Sequence, residues 1–152
     1  MAKGEIKIRS VRPEDKDAWA RMRRHLFPDF DPPEIDQFYS TGSFDGFDQC
    51  EVFVAETADG DLAGFAEASA RPYAEGCSST PVAYLEAWFV EEAWRKTGVG
   101  RQLVDAVEAW ARERGMTELA SDAEITNSLS HKAHGALGFH ETDRIVCFFK
   151  KL

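Results

Sequence analysis

Residues 82–114 read VAYLEAWFV, EEAW, RKTGVG and RQLVDAVEAWARER, and their reading decides the fold. The first nine, from Val82 to Val90, form the most apolar run of the chain. Their length, with Val and aromatic residues throughout, predicts a strand buried on both faces. From Gly98 to Arg114 the period changes. Val99, Leu103, Val107 and Trp110 fall on one stripe of a helix, and Gly115 is placed to cap its C-terminus. Between them lies Arg95-Lys96-Thr97-Gly98-Val99-Gly100. The segment is therefore strand, glycine turn, long amphipathic helix, the unit from which a sheet with a parallel strand pair is built.

Working outward, residues 118–122 predict the next strand and Asn127 starts a helix ending near Leu137-Gly138. Residues 139–150, with Ile145, Val146, Cys147, Phe148 and Phe149, are strand material closing the chain. On the N-terminal side, residues 5–11 alternate as a strand. Pro13, Glu14 and Asp15 suit the first turn of a helix that carries Trp19, Met22 and Leu26 and stops at Pro28. Residues 28–33 form a rigid acidic connector, 34–40 a short helix and 41–46 a glycine-containing loop. Residues 51–56 and 62–70 are strands joined at Asp59-Gly60, a hairpin signal. Residues 72–81 are a second polar loop. The order β-α-α-β-β-β-α-β-α-β implies an α/β (α+β) fold: a mixed sheet with helices on both faces, in one domain spanning residues 1–152.

Composition excludes several function classes. With 43% hydrophobic and 30% charged residues the chain suits a globular domain, and no apolar run approaches the ~20 residues that span a bilayer. The first residues lack the apolar stretch of a signal peptide, so a cytoplasmic location is expected. A net charge of −9 disfavours nucleic acid and suits a cationic small molecule. Cys50, Cys77 and Cys147 are odd in number and lack metal spacing, which argues against a disulfide framework or a zinc site.

Four constellations carry chemistry. The turn from Arg95 to Gly100 joins glycines, which let backbone approach a ligand, to a helix N-terminus with unpaired N–H groups, and so forms an anion site suited to a pyrophosphate. A Walker loop and a complete dinucleotide fingerprint are both absent, since Leu103 stands where the third glycine would be. Glu86 is the only charge in the run from Val82 to Val90. A lone buried carboxylate is costly, and desolvation would raise its pKa toward that of a general base. It otherwise faces a solvated cleft or pairs with an arginine. Strict alternation places Glu86 on one face with Tyr84 and Trp88. Asp122, at the carboxyl end of the next strand, would join Glu86 in binding an amine, or serve as a helix cap. His131 and His134 share a helical face, too few ligands for a metal.

Arg95-x-x-Gly98-x-Gly100 after the fourth strand, with Asn127 and the ending Ala133-His134-Gly135-Ala136-Leu137-Gly138-Phe139, resembles the GNAT N-acetyltransferase superfamily over almost the whole chain. Leu26-Phe27-Pro28, Ala66-Glu67-Ala68-Ser69, residues 76–82, Leu85-Glu86 and residues 116–122 are similar to aminoglycoside 6'-N-acetyltransferases. The resemblance implies a central mixed, mostly antiparallel sheet, acetyl-CoA as co-substrate, no metal, an aminoglycoside acceptor and often a homodimer. It implies that Phe27, Tyr73, Glu86, Asp122 and Asp143 bind the drug. It implies that Phe89, Val90, Glu91, Thr97, Gly98, Val99, Gly100, Arg101, Gln102 and Asn127 bind acetyl-CoA, with Arg95 adding positive charge. Phe27 stands where the family commonly has tryptophan, which keeps stacking area but loses the indole N–H. His134 stands where many GNAT enzymes place a tyrosine as acid to the departing thiolate.

The expected chemistry is direct attack of the acceptor amine on the thioester. Glu86 acts as base, Asp122 holds the amine, and a backbone N–H near Phe89 or Val90 polarises the carbonyl. Asp143 and loop acids such as Asp29, Asp31 or Glu75 hold the rest of the polycation. Two alternatives share the anion turn: acetylation of another small amine, such as a polyamine or amino sugar, and a regulatory module that binds acyl-CoA without turnover.

Overall fold

The computed structural model describes residues 4–29, 33–44 and 46–152. Five strands form a single sheet in chain order: β1 (Lys7–Ser10), β2 (Cys50–Glu56), β3 (Leu62–Arg71), β4 (Val82–Val90) and β5 (Leu119–Ser121). β1 to β4 are antiparallel neighbours, and β5 runs parallel to β4. Four helices complete the fold: α1 (Lys16–Leu26), α2 (Pro33–Thr41), α3 (Val99–Glu113) and α4 (Ser128–Ala136). The sheet is mixed and mostly antiparallel, as the sequence implied.

Alternation along the strands explains the layers. Ala63, Ala66, Ala68, Ala83 and Leu85 face α3, whose Val99, Leu103, Val104, Val107 and Trp110 lie on one stripe. Val52, Val54, Phe65, Ala87 and Phe89 face the other way, onto Trp19 and Met22 of α1. Small alanines on the α3 face let the helix sit close to the sheet, while aromatics fill the α1 side. Gly64 is required by that closeness: a β-carbon there would strike the Phe89 carbonyl of the paired strand.

Two expectations are corrected. Residues 13–15 form a tight 3-10 turn rather than the start of α1, with the Asp15 carboxylate accepting from the Arg12 N–H. Residues 139–152 form no strand. The tail carries Ile145, Val146, Phe148 and Phe149 into solvent, the two phenylalanines at 91% and 94% exposure, so neither faces the core. Strand propensity is realised only against a hydrogen-bonded partner, and none of the described residues supplies one. The connector expected over 28–33 lies largely outside the described residues, as does Asp31.

Candidate active site

The two strands that frame the site separate partway along. β4 and β5 pair only at Ala83↔Leu119, Tyr84↔Ala120 and Leu85↔Ser121. Beyond Leu85, β4 continues to Val90 with β3 on one side and, among the described residues, no strand on the other. Residues 86–90 therefore present an open run of backbone donors and acceptors beside the glycine turn. The Val90 carbonyl is taken by Arg95 Nε at 3.0 Å.

The turn itself has the geometry the glycines suggested. Gly98 sits at φ 91° as the N-cap of α3, a left-handed conformation that a β-carbon makes costly. Gly100 lies under Trp88, where a β-carbon would stand 3.0 Å from the indole. Val99 is buried in the core. Thr97, Gly98, Arg101 and Gln102 are exposed around the helix start, and Arg101 donates to the Ala136 carbonyl at 3.0 Å, tying α3 to α4. Arg95 and Lys96 are exposed beside them. Phe89 is buried on the α1 side, and Glu91 pairs with Arg21 of α1 at 2.7 Å. Asn127 caps α4, its Oδ1 accepting from the Ser130 N–H at 3.0 Å.

At the other side of the split lies an acidic cluster. Glu86 is not a lone carboxylate. Arg71, the last residue of β3, grips it through Nε at 2.7 Å and Nη2 at 2.6 Å, and the Ser69 hydroxyl donates to Oε1 at 2.5 Å. The Arg71 guanidinium also lies 3.6 Å from the centre of the Tyr84 ring. Tyr84 donates its hydroxyl to Asp122. Burial first, then that bond to a carboxylate, holds the phenol well above its ordinary pKa. Glu86, Arg71, Tyr84 and Asp122 thus form one connected group at the carboxyl end of β5.

The expected alternation of Glu86 with Tyr84 and Trp88 fails at one end. The β3–β4 register slips between Glu67↔Ala87 and Ala68↔Leu85, leaving Glu86 as the extra residue of a bulge. A bulge breaks the period of two and re-aims side chains. Glu86 joins the Ser69 and Arg71 side, whereas Trp88 packs on the α3 side, edge-on to His134 at 5.4 Å between ring centroids.

His134 is committed at both nitrogens. Nδ1 lies 2.8 Å from the Ser130 carbonyl, which can only accept, so Nδ1 carries a hydrogen, and Nε2 shares a hydrogen bond with Ser121 Oγ at 2.8 Å, a hydroxyl that also lies 3.3 Å from the Leu85 carbonyl. Among the remaining expected drug contacts, Tyr73 is 66% exposed in the loop after β3. Asp143 is exposed and accepts from the next backbone N–H, and its neighbour Thr142 fills the space against Gly76 of that same loop. Phe27 is half-buried beside α1, its ring 5.0 Å from the Arg23 guanidinium. Glu118 anchors the 72–81 loop by accepting from the Ser78 and Ser79 N–H groups at 2.9 and 2.7 Å.

The sequence reading passed over the acid most deeply buried. Glu67, 1% exposed, pairs with Arg23 of α1 at 2.7 Å, and Arg23 also reaches Glu34 of α2. Burial pushes the Glu67 carboxyl up to about 7 despite that partner. Its signal was present: Glu67 is the only charge in residues 62–70, as Glu86 is in β4.

Residues 19–139 match the model of the Acetyltransferase (GNAT) family. The chain belongs to the GNAT acetyltransferase family. Within it, the chain is 46% identical over 149 residues to aminoglycoside N(6')-acetyltransferase type 1 of Klebsiella aerogenes, covering 95% of this chain and 96% of that one. It is 44% identical over 142 residues to the enzyme of the same name from Stenotrophomonas maltophilia, covering 93% and 90%. The crystal structure of aminoglycoside antibiotic 6'-N-acetyltransferase AAC(6')-Ih from Acinetobacter baumannii superposes with a TM-score of 0.86 at 34% identity, over 97% of this chain and 99% of that one. The structure of AAC(6')-Iy with the bisubstrate analogue CoA-S-monomethyl-acetylneamine gives 0.84 at 36% identity, over 98% and 100%. The split between β4 and β5 and the glycine turn before α3 are therefore features of a GNAT fold.

Proposed function

We propose that the protein transfers an acetyl group from acetyl-CoA to the 6'-amino group of aminoglycosides, inactivating them as antibiotics. The observation that carries this reading is the juxtaposition at the open edge of β4. A glycine turn suited to a diphosphate lies at one end, and an acidic group suited to an ammonium lies at the other. The identities above support the acceptor class.

In this reading the segment from Thr97 to Gln102 holds the diphosphate of acetyl-CoA, with Arg95 and Asn127 as further contacts and the Phe89 to Glu91 edge for the pantetheine arm. The turn fits such a group, because Gly98 leaves open the space that a β-carbon would fill. A β4 amide near Phe89 or Val90 polarises the thioester carbonyl. Glu86 takes the proton from the acceptor ammonium, directly or through water, and Asp122 and Asp143 hold the polycation, with Phe27 and Tyr73 supplying rings. The nitrogen bonds the carbonyl carbon, the C–S bond breaks, and the thiol leaves. A thiol titrates near ~8.5, so its anion departs with little need of an acid. His134, hydrogen-bonded to Ser121 through Nε2 at 2.8 Å, is the candidate acid where the thiolate needs one.

Acetyl-CoA with a panel of kanamycin, tobramycin and spermidine, followed by thiol release and location of the acetylated nitrogen, tests the reading. Acetylation at N6' of the drugs is expected. Preference for spermidine makes the protein a polyamine enzyme. Binding of CoA without turnover makes it a regulatory module. Gly98→Val is expected to weaken CoA binding in calorimetry by ~10-fold or more, since φ 91° is strained for valine.

We also propose a single domain, a cytoplasmic location and a homodimer. Among the described residues no helix is long and apolar enough to cross a membrane. The exposed tail supports the dimer: Ile145, Val146, Phe148 and Phe149 need cover, and β5 stands at the end of the sheet with an edge that a second copy's tail can pair. Sedimentation of Phe148→Glu/Phe149→Glu is expected to give a monomer where the parent gives a dimer.

A further inference from the structure

Arg71 stands where an acceptor's ammonium would go, and nothing in the acetyl-transfer reading assigns it a role. It donates twice to Glu86, at 2.7 and 2.6 Å. It lies over the Tyr84 ring at 3.6 Å and near Phe47 at 5.4 Å. An ammonium held between a carboxylate and an aromatic face would use the same two features. The side chain is 32% exposed at the end of its strand, so it can swing into solvent.

We propose that Arg71 is a positioning residue, a displaceable counter-cation that yields Glu86 to the protonated acceptor and reclaims it as that nitrogen gives up its charge. The inference rests on the reading of Glu86 as the acceptor's partner. The physical reason is a competition. An amine attacks only after deprotonation, and losing its charge would leave Glu86, 19% exposed, facing it without a counter-ion. The cost of an unpaired carboxylate opposes that step. A guanidinium waiting beside the carboxylate removes the cost. The ammonium N–H bond breaks, the proton passes to Glu86 and on to solvent, and Arg71 re-pairs with the carboxylate. The nitrogen keeps its electron pair for the thioester carbon. The price is weaker binding of the charged acceptor. Among the described residues the charged and titratable groups facing this exchange are Glu86 and Tyr84 from β4, Asp122 beyond β5, Glu67 further along β3 and Arg23 from α1, and among them only Arg71 is a cation bonded to Glu86.

The test compares Arg71→Met, Arg71→Lys and Glu86→Gln with the parent, using tobramycin, acetyl-CoA and full pH profiles, with melting temperatures confirming that each is folded. Arg71→Met is expected to lower the KM for tobramycin by ~10-fold. It is also expected to move the rising limb of kcat upward by about one pH unit, the two being the same shift in the acceptor's proton affinity. Arg71→Lys keeps a cation and is expected to hold the limb within ~0.3 unit of the parent. A KM that rises or stays fixed in Arg71→Met, an unmoved profile, or a lysine variant that behaves like methionine overturns the inference. If Glu86→Gln leaves the tobramycin KM unchanged, the reading of Glu86 fails instead.

Discussion

Glu67 and Glu86 begin alike and end differently. Each is the only charge in a nine-residue apolar stretch, the two stretches are paired strands, and each carboxylate meets an arginine. Glu67 lies under α1, bound by Arg23, fully enclosed and pushed up to about 7. Glu86 sits on the bulge where β4 leaves β5, bound by an arginine that reaches solvent. The difference teaches that an isolated charge in an apolar strand marks a constrained carboxylate without saying what it is for. A carboxylate sealed beneath a helix ties that helix to the sheet. One at the edge of a split sheet is available to a ligand.

Predictions follow from that contrast, beginning with the largest effect. Arg23→Met should strand Glu67 beneath α1 and cost about 3 kcal/mol of stability in urea unfolding, the low end for a broken buried pair because Glu67 can take up a proton. If stability is unchanged, Arg23 does not tie α1 to the sheet. Glu86→Gln should leave the fold intact and lower kcat/KM for tobramycin by ~10²-fold; equal loss of stability and activity would make Glu86 a second Glu67.

The third prediction concerns pH. The folded Glu67 carboxyl is raised from an ordinary 4.5 to about 7, so between these values the native state holds a proton that the unfolded chain has lost. Its contribution to stability is present below 4.5 and disappears as pH rises through 7. Glu67→Gln should therefore become more stable relative to the parent from pH 5 to pH 8, by about 2 kcal/mol. A constant difference across that range would show that Glu67 stays ionised. The smallest effect is expected from Tyr84→Phe, which removes the donor to Asp122. It should cost about 1 kcal/mol of stability and raise the tobramycin KM by only about threefold, an effect of similar energy.

Much of the site was legible because its parts are local. The glycine turn and the helix stripe of Val99, Leu103, Val107 and Trp110 follow from spacing within short windows, and the structure has both of them. Glu86 and Asp122 were visible as acids at strand positions. The same lone-charge argument was available for Glu67 in residues 62–70 and was not applied there.

The sequence by itself determined the elements up to α4, their order and the family. Periodicity and turn chemistry act over a few residues, and the motif that names the family is contiguous. Only the tertiary structure decided which acid is sealed and which is open. A register slip between β3 and β4 moved Trp88 to the opposite face from Glu86, and that slip depends on the whole pairing. The arginine on Glu86 comes from 15 residues earlier and the one on Glu67 from 44. The tail shows the same limit from the other direction: residues 139–152 have the composition of a strand, but a strand needs a neighbour's hydrogen bonds, and none of the described residues offers them.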